Sequence, residues 1–169
     1  EHDKRLKTSN FKDQLLINIG LCYNQLREYK KAENSITDGI NSCHPLCDDV
    51  TLTSGEFGLG VSKYGQKLYE EAKRHFQKSF AISLRSSNIR FQAENSIYLA
   101  HIYVRSQSFD SAVVALTRCE GIAKEFGYNE LLIETYKEYS NLFTIKRDFE
   151  NASVYQKKFS LRFYRLIEN

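Results

Sequence analysis

The sequence contains no methionine, no tryptophan, one proline and four cysteines among its 169 residues. So little cysteine and proline excludes a disulfide-dense scaffold, a mucin-like stalk and a collagen-like chain. No run of about 18 apolar residues is present, and the start of the chain lacks the pattern of a secretory signal, so we expect neither a membrane span nor a leader. Because methionine is missing, we expect the sequence to be a segment of a longer polypeptide. Because 41% of the residues are hydrophobic, the chain can bury a core of its own.

The charge of the chain is nearly balanced. Its 24 basic and 21 acidic residues give a net charge of +3. Proteins that bind nucleic acids usually concentrate Lys and Arg on one face or arm, whereas the densest basic stretch here, from Lys157 to Arg165, is short and followed by Glu168. We therefore expect no contact of this segment with nucleic acid and no insertion into a membrane.

A repeat of 40 residues organises the chain. An aromatic residue followed three positions later by alanine recurs with that spacing at Tyr29/Ala32, Tyr69/Ala72, Phe109/Ala112 and Phe149/Ala152. A bulky residue followed by a small one recurs in the same register at Ile19-Gly20, Leu59-Gly60, Leu99-Ala100 and Tyr139-Ser140. Offsets of three and four residues are helical spacings. Each repeat is therefore predicted to be a pair of antiparallel helices, in which the small residue allows close approach of the partner helix.

The predicted elements are helices only. They cover residues 11–26, 29–43, 51–65, 69–86, 90–106, 109–126, 130–146 and 149–167. No linker rich in Gly, Ser or Pro divides the chain. We therefore expect a single domain over residues 1–169, with repeats at 13–52, 53–92, 93–132 and 133–169.

One joint between the predicted helices is longer than the others, from Cys43 to Asp49, because Pro45 cannot continue a helix. Asp48 or Asp49 is expected to accept hydrogen bonds from the free amides that open the next helix. In the same way, Asn88 and Asn129 are candidate caps of the fifth and seventh helices.

The cysteines near this joint allow three interpretations. Cys43, His44 and Cys47 lie within five residues and can contribute to a zinc site or close a small disulfide. A zinc site needs four ligands, and no second cluster of ligands is present in the sequence. A loop with reduced thiols is therefore the simplest expectation, with no metal. Cys22 and Cys119 lie in apolar helical patterns and are expected to be inert core thiols.

The combined columns resemble the tetratricopeptide repeat, over four repeats from Asp13 to the end of the chain. The best fit is Ile19-Gly20, Tyr23, Tyr29, Ala32 and Ile36, followed by Leu59-Gly60, Tyr69, Ala72 and Phe76. The 40-residue length is similar to the long variety found in bacterial signalling and regulatory proteins. The resemblance implies an all-α fold, an α-α superhelix of antiparallel helix pairs. One departure is that Glu56 stands where the family has an aromatic residue early in the first helix.

The resemblance also implies a concave groove, lined by the first helix of each pair, that binds an extended peptide or a partner helix. The side chains that it places there are Ile17, Leu21, Asn24, Phe57, Val61, Tyr64, Ile97, His101, Val104, Lys137 and Asn141, together with Glu94, Glu134 and Thr144. The first half of this set is apolar and aromatic, and the second half is polar. An exposed apolar patch needs a ligand or further repeats to cover it.

Two polar features of this set have alternative interpretations. Lys137 and Asn141 are one turn apart, as are the lysine and asparagine with which chaperone-binding members of the family hold a peptide's terminal carboxylate. The other residues of such a clamp would come from following repeats, so a solvated helix face is the alternative. His101 is either a proton switch near neutral pH or a polar wall residue.

No catalytic apparatus is evident in the sequence. The segment from Gly55 to Gly60 is glycine-rich, but it has no preceding strand and no Lys-Ser or Lys-Thr end to hold a phosphate. We therefore expect no catalytic residues and no cofactor. The favoured function is a protein- or peptide-binding module in a bacterial signalling or regulatory protein. The alternative is a structural spacer or oligomerisation solenoid whose groove is filled by its own parent chain, and a homo-oligomer is a possible partner state. Cysteine usage fits the cytoplasm, and a periplasmic sensor domain is also compatible.

Overall fold

The structure is a computed structural model that describes the backbone of residues 2–167 and the side chains of residues 11–167. Over this part of the chain it is α-helical, without a strand. The described helices are α1 (His2–Gln25), α2 (Tyr29–Cys43), α3 (Asp49–Gly65), α4 (Tyr69–Arg85), α5 (Ile89–Arg105), α6 (Phe109–Glu125), α7 (Asn129–Ile145) and α8 (Phe149–Ile167). The predicted all-α class is confirmed. Helix bounds agree within two residues except at the start of α1, which lies nine residues earlier than expected.

The chain forms two compact units, one ending at Phe91 and the other beginning at Gln92. In the first unit, consecutive helices from α1 to α4 pack against one another, and α1 also packs on α3. In the second unit, α6 packs on α7 and α7 on α8, while one apolar cluster joins side chains of α5, α6 and α7. The single domain expected over residues 1–169 stays a prediction.

The alanine column lies at the centre of the helix pairs. Ala32, Ala72 and Ala112 are fully buried, and Ala152 is 7% exposed. Alanine leaves room for close helix packing because its side chain is a single methyl group. The expectation that the 40-residue repeat marks helix crossings is therefore confirmed.

Stacked aromatic side chains join α7 and α8, the last helix pair. The ring of Tyr155 on α8 stacks on Tyr139 of α7 at 4.3 Å and on Phe143 at 5.6 Å between ring centroids. The hydroxyl of Tyr139 lies 2.8 Å from Oγ1 of Thr117 on α6. One phenol thus links three successive helices of the second unit.

Most joints between helices are three-residue turns of one type. The middle residue has a positive φ in each, and these residues follow a spacing of 20 or 40 positions: Arg27, Lys67, Ser87, Gln107, Gly127 and Arg147. The next amide donates to the carbonyl five residues before it, as from Glu28 to Tyr23 at 2.9 Å. This is the Schellman arrangement, in which glycine is preferred at the left-handed position, yet only Gly127 satisfies that preference.

The joint from α2 to α3 is different. It has five residues, 44–48, with a cis bond before Pro45, and a disulfide links Cys43 to Cys47. The expectation of reduced thiols was wrong, and the disulfide is the alternative that the structure contains. Asp48 accepts a hydrogen bond from the amide of Thr51 at 2.7 Å, so the predicted cap of α3 is confirmed.

Of the two other predicted helix caps, one is confirmed and one was wrong. Asn88 accepts from the amide of Phe91 at 3.3 Å, as expected. Asn129 was wrong as a cap, because it is the first residue of α7 and the preceding Tyr128 makes no side-chain cap. Asp148, which the sequence reasoning missed, accepts from the amide of Asn151 at 3.2 Å and opens α8.

Candidate functional site

The predicted groove residues lie on first helices in three columns spaced 40 residues apart. The columns are 17/57/97/137, 21/61/101/141 and 24/64/104/144. Only the last repeat is exposed throughout: Lys137, Asn141 and Thr144 on α7 are exposed, whereas four members of the earlier repeats are buried and the rest are partly buried. These columns therefore do not form a uniform binding wall.

Two of the buried members, Ile17 and Asn24, lie between α1 and α3. Ile17 is 2% exposed and Asn24 is 7% exposed. The Asn24 side chain donates to the carbonyl of Gly58 at 2.8 Å and accepts from the hydroxyl of Ser62 at 2.8 Å. Their assignment as groove residues was wrong, because Ile17 is buried in a cluster with side chains of α2 and α3, and Asn24 is held against α3 by its hydrogen bonds.

Ile97 and Val104 on α5 are the other two buried members. They are 1% and 3% exposed and belong to the apolar core cluster of the second unit. Their assignment to the groove was therefore also wrong. Apolar side chains at these positions are buried by packing against neighbouring helices, which removes them from any ligand.

The predicted groove residues of the first unit that keep some exposure are Leu21, Phe57, Val61 and Tyr64. Phe57 packs edge-on against Phe91 with 5.2 Å between ring centroids. Tyr64 meets the ring of Tyr69 edge-on at 5.5 Å. These aromatic rings thus have structural contacts, and only part of each is available to a partner.

A polar cluster gathers around His101 in the second unit. Its Nε2 lies 3.5 Å from Oε1 of Glu134 and 3.9 Å from Oε2 of Glu138, both on α7. The side chain of His101 is 15% exposed, and the ring of Tyr98 packs edge-on at 6.0 Å. The amide of Asn141 donates to Oε1 of Glu138 at 3.4 Å. The structure thus brings together His101, Glu134 and Asn141, which the sequence had placed on one face.

The surroundings of the cluster favour the uncharged form of its members. Burial lowers the pKa of His101 to about 4, and the nearby ammonium of Lys137 adds to this. Burial raises the pKa of Glu134 and of Glu138, and for Glu138 the charge of Glu134 raises it further. A pKa lowered to about 4 lies well below neutral pH, which favours the polar wall residue over the proton switch.

Glu138 and Tyr98 are members of the cluster that the sequence analysis missed. The sequence contained a signal for Glu138, since it follows Glu134 by one helical turn and so lies on the same face.

Lys137 and Asn141 are exposed, as a ligand-contacting pair requires. The cluster offers carboxylates, an imidazole, an amide and an ammonium, which suit hydrogen bonds to the backbone and polar side chains of another chain.

Two further findings on the described residues concern metal ions and membranes. In this part of the chain, no group of three or more His, Cys, Asp or Glu side chains is placed to hold a metal ion. None of the helices that the structure describes combines the length and apolarity needed to cross a membrane.

Comparison with known proteins finds similar chains among solved structures. No family model and no curated protein matches the chain. Among solved structures, the chain is similar to the crystal structure of a Rap protein complexed with competence and sporulation factor, with a TM-score of 0.62 and 17% identity over 92% of this chain. The chain spans only 53% of the length of that protein. At this identity the likeness shows the fold alone, which is a TPR-like helical repeat.

Proposed function

We propose that this chain is a binding module without catalytic activity, which holds an extended peptide or a helix of another protein against its first helices. The observation that carries the proposal is the polar cluster of His101, Glu134 and Glu138, flanked by the exposed Lys137 and Asn141. Buried polar networks that serve the fold alone are normally satisfied within the core, whereas this one reaches the surface and ends in side chains suited to a partner.

The structural neighbour supports the same proposal. That Rap protein is complexed with competence and sporulation factor, so a helical repeat of this kind accommodates a partner. By this analogy the module works within a bacterial signalling or regulatory protein of the cytoplasm. The absence of a glycine-rich phosphate loop or other catalytic motif in the sequence agrees with a binding role.

The test uses two double variants with the same chemistry. Lys137→Ala/Asn141→Ala removes a lysine and an asparagine one turn apart on α7. Lys30→Ala/Asn34→Ala removes a pair on α2 that is also exposed and has the same spacing. Peptides selected on the wild-type chain from a displayed peptide library are then titrated against both variants. We expect the α7 variant to weaken binding on the order of tenfold, as for the loss of a charge-assisted hydrogen bond. Equal affinities for both variants and the wild type would reject the proposal.

A specific observation favours a second candidate function, the structural or oligomerising element. On α8 only Ala152 is buried, while Leu161, Tyr164 and Ile167 are each 64% exposed. Apolar side chains clustered in this way mark association surfaces. Sedimentation of the wild type and of Leu161→Glu distinguishes the two: an oligomer that this substitution dissociates supports the second candidate, and a monomer at all concentrations opposes it.

A further inference from the structure

The joint between α2 and α3 breaks a pattern that the other described joints follow. Those joints have a left-handed residue in the middle of three, at positions spaced by multiples of 20. The same spacing from Arg27 or Lys67 falls on Cys47. At this position the joint has five residues, and Cys47 is bonded to Cys43. A covalent link thus stands where the repeat elsewhere uses a backbone turn.

The two sulfur atoms of the disulfide differ in accessibility. Cys43 closes α2 and is 6% exposed. Cys47 is only partly buried and follows His44, Pro45 and Leu46, which are all exposed. Exchange with an external thiol requires its thiolate to approach one sulfur in line with the bond. Cys47 Sγ is therefore the atom that such a thiol reaches first.

The surroundings also accommodate the reduced pair. The Sγ atoms of Cys43 and Cys47 both lie 3.3 Å from the carbonyl oxygen of Ile40. A reduced thiol at either position has that oxygen within reach as an acceptor for its S–H group. On reduction the two sulfur atoms must move apart, and the exposed segment 44–46 gives Cys47 room to do so while Cys43 keeps its place at the end of α2. Reduction removes the covalent tie between the end of α2 and Asp48, whose carboxylate caps α3 at the amide of Thr51.

We propose that Cys43 and Cys47 form a reversible thiol–disulfide switch that fixes or releases the first turn of α3. In reduction, the thiolate of a small thiol or a protein dithiol attacks Cys47 Sγ, the S–S bond breaks, and Cys43 leaves as a thiolate that takes a proton from water. A second thiolate attacks the resulting mixed disulfide and releases Cys47, which is protonated in turn. The reductant departs as its own disulfide, having supplied two electrons, and a disulfide oxidant reverses each step.

The switch is independent of the proposed binding function. It acts in the first unit, on the helix that carries Phe57 and Val61, whereas the polar cluster around His101 lies in the second unit. A disulfide in a reducing compartment is usually transient and regulatory. In the cytoplasmic setting proposed above, such a pair would change state; its response to thiols can be measured whatever the compartment.

The experiment titrates the Cys22→Ser chain with buffers of reduced and oxidised glutathione. The expectation that Cys22 is a core thiol was wrong, because it is exposed. The variant removes this thiol, which can otherwise pair with the switch, and leaves Cys119, which is buried as expected. Alkylation followed by mass spectrometry reports the state of Cys43 and Cys47, and hydrogen exchange reports the amides of residues 50–55 and 132–142. We expect reduction without loss of helical circular dichroism, exchange on the order of tenfold faster at 50–55 and unchanged at 132–142, and full reversal on oxidation.

Two outcomes would overturn the proposal. A bond that glutathione reduces only after urea unfolds the chain is a structural disulfide, and unchanged exchange at residues 50–55 after reduction means that the joint does not respond. Cys47→Ser provides an independent check, because it keeps Cys43 in the core and prevents the bond. Under oxidising buffer it should exchange at residues 50–55 like the reduced chain, and exchange like the oxidised chain would count against the switch.

Discussion

Gly20 on α1 faces the backbone of Ala32 on α2. A Cβ atom placed on Gly20 would lie 2.9 Å from the carbonyl oxygen of Ala32, closer than such atoms come in proteins. The last pair has a related contact, in which Ser140 Oγ donates to the carbonyl of Ala152 at 3.2 Å. The small-residue column and the alanine column of the repeat therefore meet, and the distance between paired helices depends on both.

This contact predicts that Gly20→Ala destabilises the first unit. The new methyl group would push against the backbone of α2 and the side chain of Ile36, with a cost of about 1–3 kcal/mol for overpacking. The control is Gly121→Ala on α6, where no atom lies within 4 Å of an added Cβ. Alanine is the better helix former there and should gain about 0.5–1 kcal/mol. Urea unfolding measures both, and equal changes would show that Gly20 is not at a tight crossing.

From the left-handed turns we predict that substitutions at Gly127 and Gln107, which occupy equivalent positions, change stability in opposite directions. Gly127 has a φ of 71° and open space around its Cα, so Gly127→Ala meets only backbone strain and should cost about 1 kcal/mol. Gln107 has a φ of 56° in the equivalent turn. Gln107→Gly relieves the strain and should gain about 0.5–1 kcal/mol after the entropy cost of glycine. Thermal unfolding would contradict this if both variants shifted the midpoint in the same direction.

In the second repeat, the position that is aromatic in the other three holds Lys63, which forms an ion pair with Glu33. From this ion pair we predict how the pKa of Glu33 depends on Lys63. Lys63 occupies the column of Tyr23 and is 15% exposed, with Nζ 2.7 Å from Glu33 and 3.1 Å from Glu71. Burial alone would raise the pKa of Glu33, but hydrogen bonds from Lys63 and from a nearby glutamine lower it overall. Lys63→Met should therefore raise the pKa of Glu33.

An NMR titration of the Glu33 carboxyl checks this. Lys30→Met removes an exposed lysine from the same helix as Glu33 and should leave its pKa where it is. If the pKa stays low in Lys63→Met, the ammonium is not what holds the carboxylate in its charged form.

The 40-residue spacing was sufficient to predict the helices, their pairing and the alanine column, because these depend on local periodicity and on small residues at crossings. The groove was predicted less well. Ile17 and Lys137 occupy equivalent columns, yet α3 covers Ile17, whereas no later first helix covers Lys137 among the described residues. A column in the sequence cannot show which neighbour packs on it. The left-handed conformation of the turns was missed for a different reason, since four of the six residues are Arg, Lys or Gln, which do not favour turns.

The buried carboxylate of Glu56 leads to a prediction of how the free energy of unfolding depends on pH. Glu56 stands where the resemblance expects an aromatic side chain, and it is 4% exposed on α3. His75 Nδ1 lies 2.8 Å from its Oε2, and Lys78 Nζ donates to Oε1 at 2.6 Å. Burial by itself raises the pKa of this carboxyl, but the hydrogen bonds from His75 and Lys78 outweigh it and lower the pKa below 4.5.

A carboxyl whose pKa is lowered in the folded state stabilises the fold above its unfolded pKa, and this contribution is lost as the pH falls through the folded value. Glu56→Gln removes the charge and should cost about 2 kcal/mol at pH 7, as for hydrogen bonds to a buried charged group. The difference from the wild type should shrink as the pH falls below about 4.5. Urea unfolding at several pH values measures it, with Asp38→Asn on the exposed face of α2 as the control that should change little. A difference that stays constant down to low pH would mean that the ionised Glu56 carboxylate is not the stabilising form.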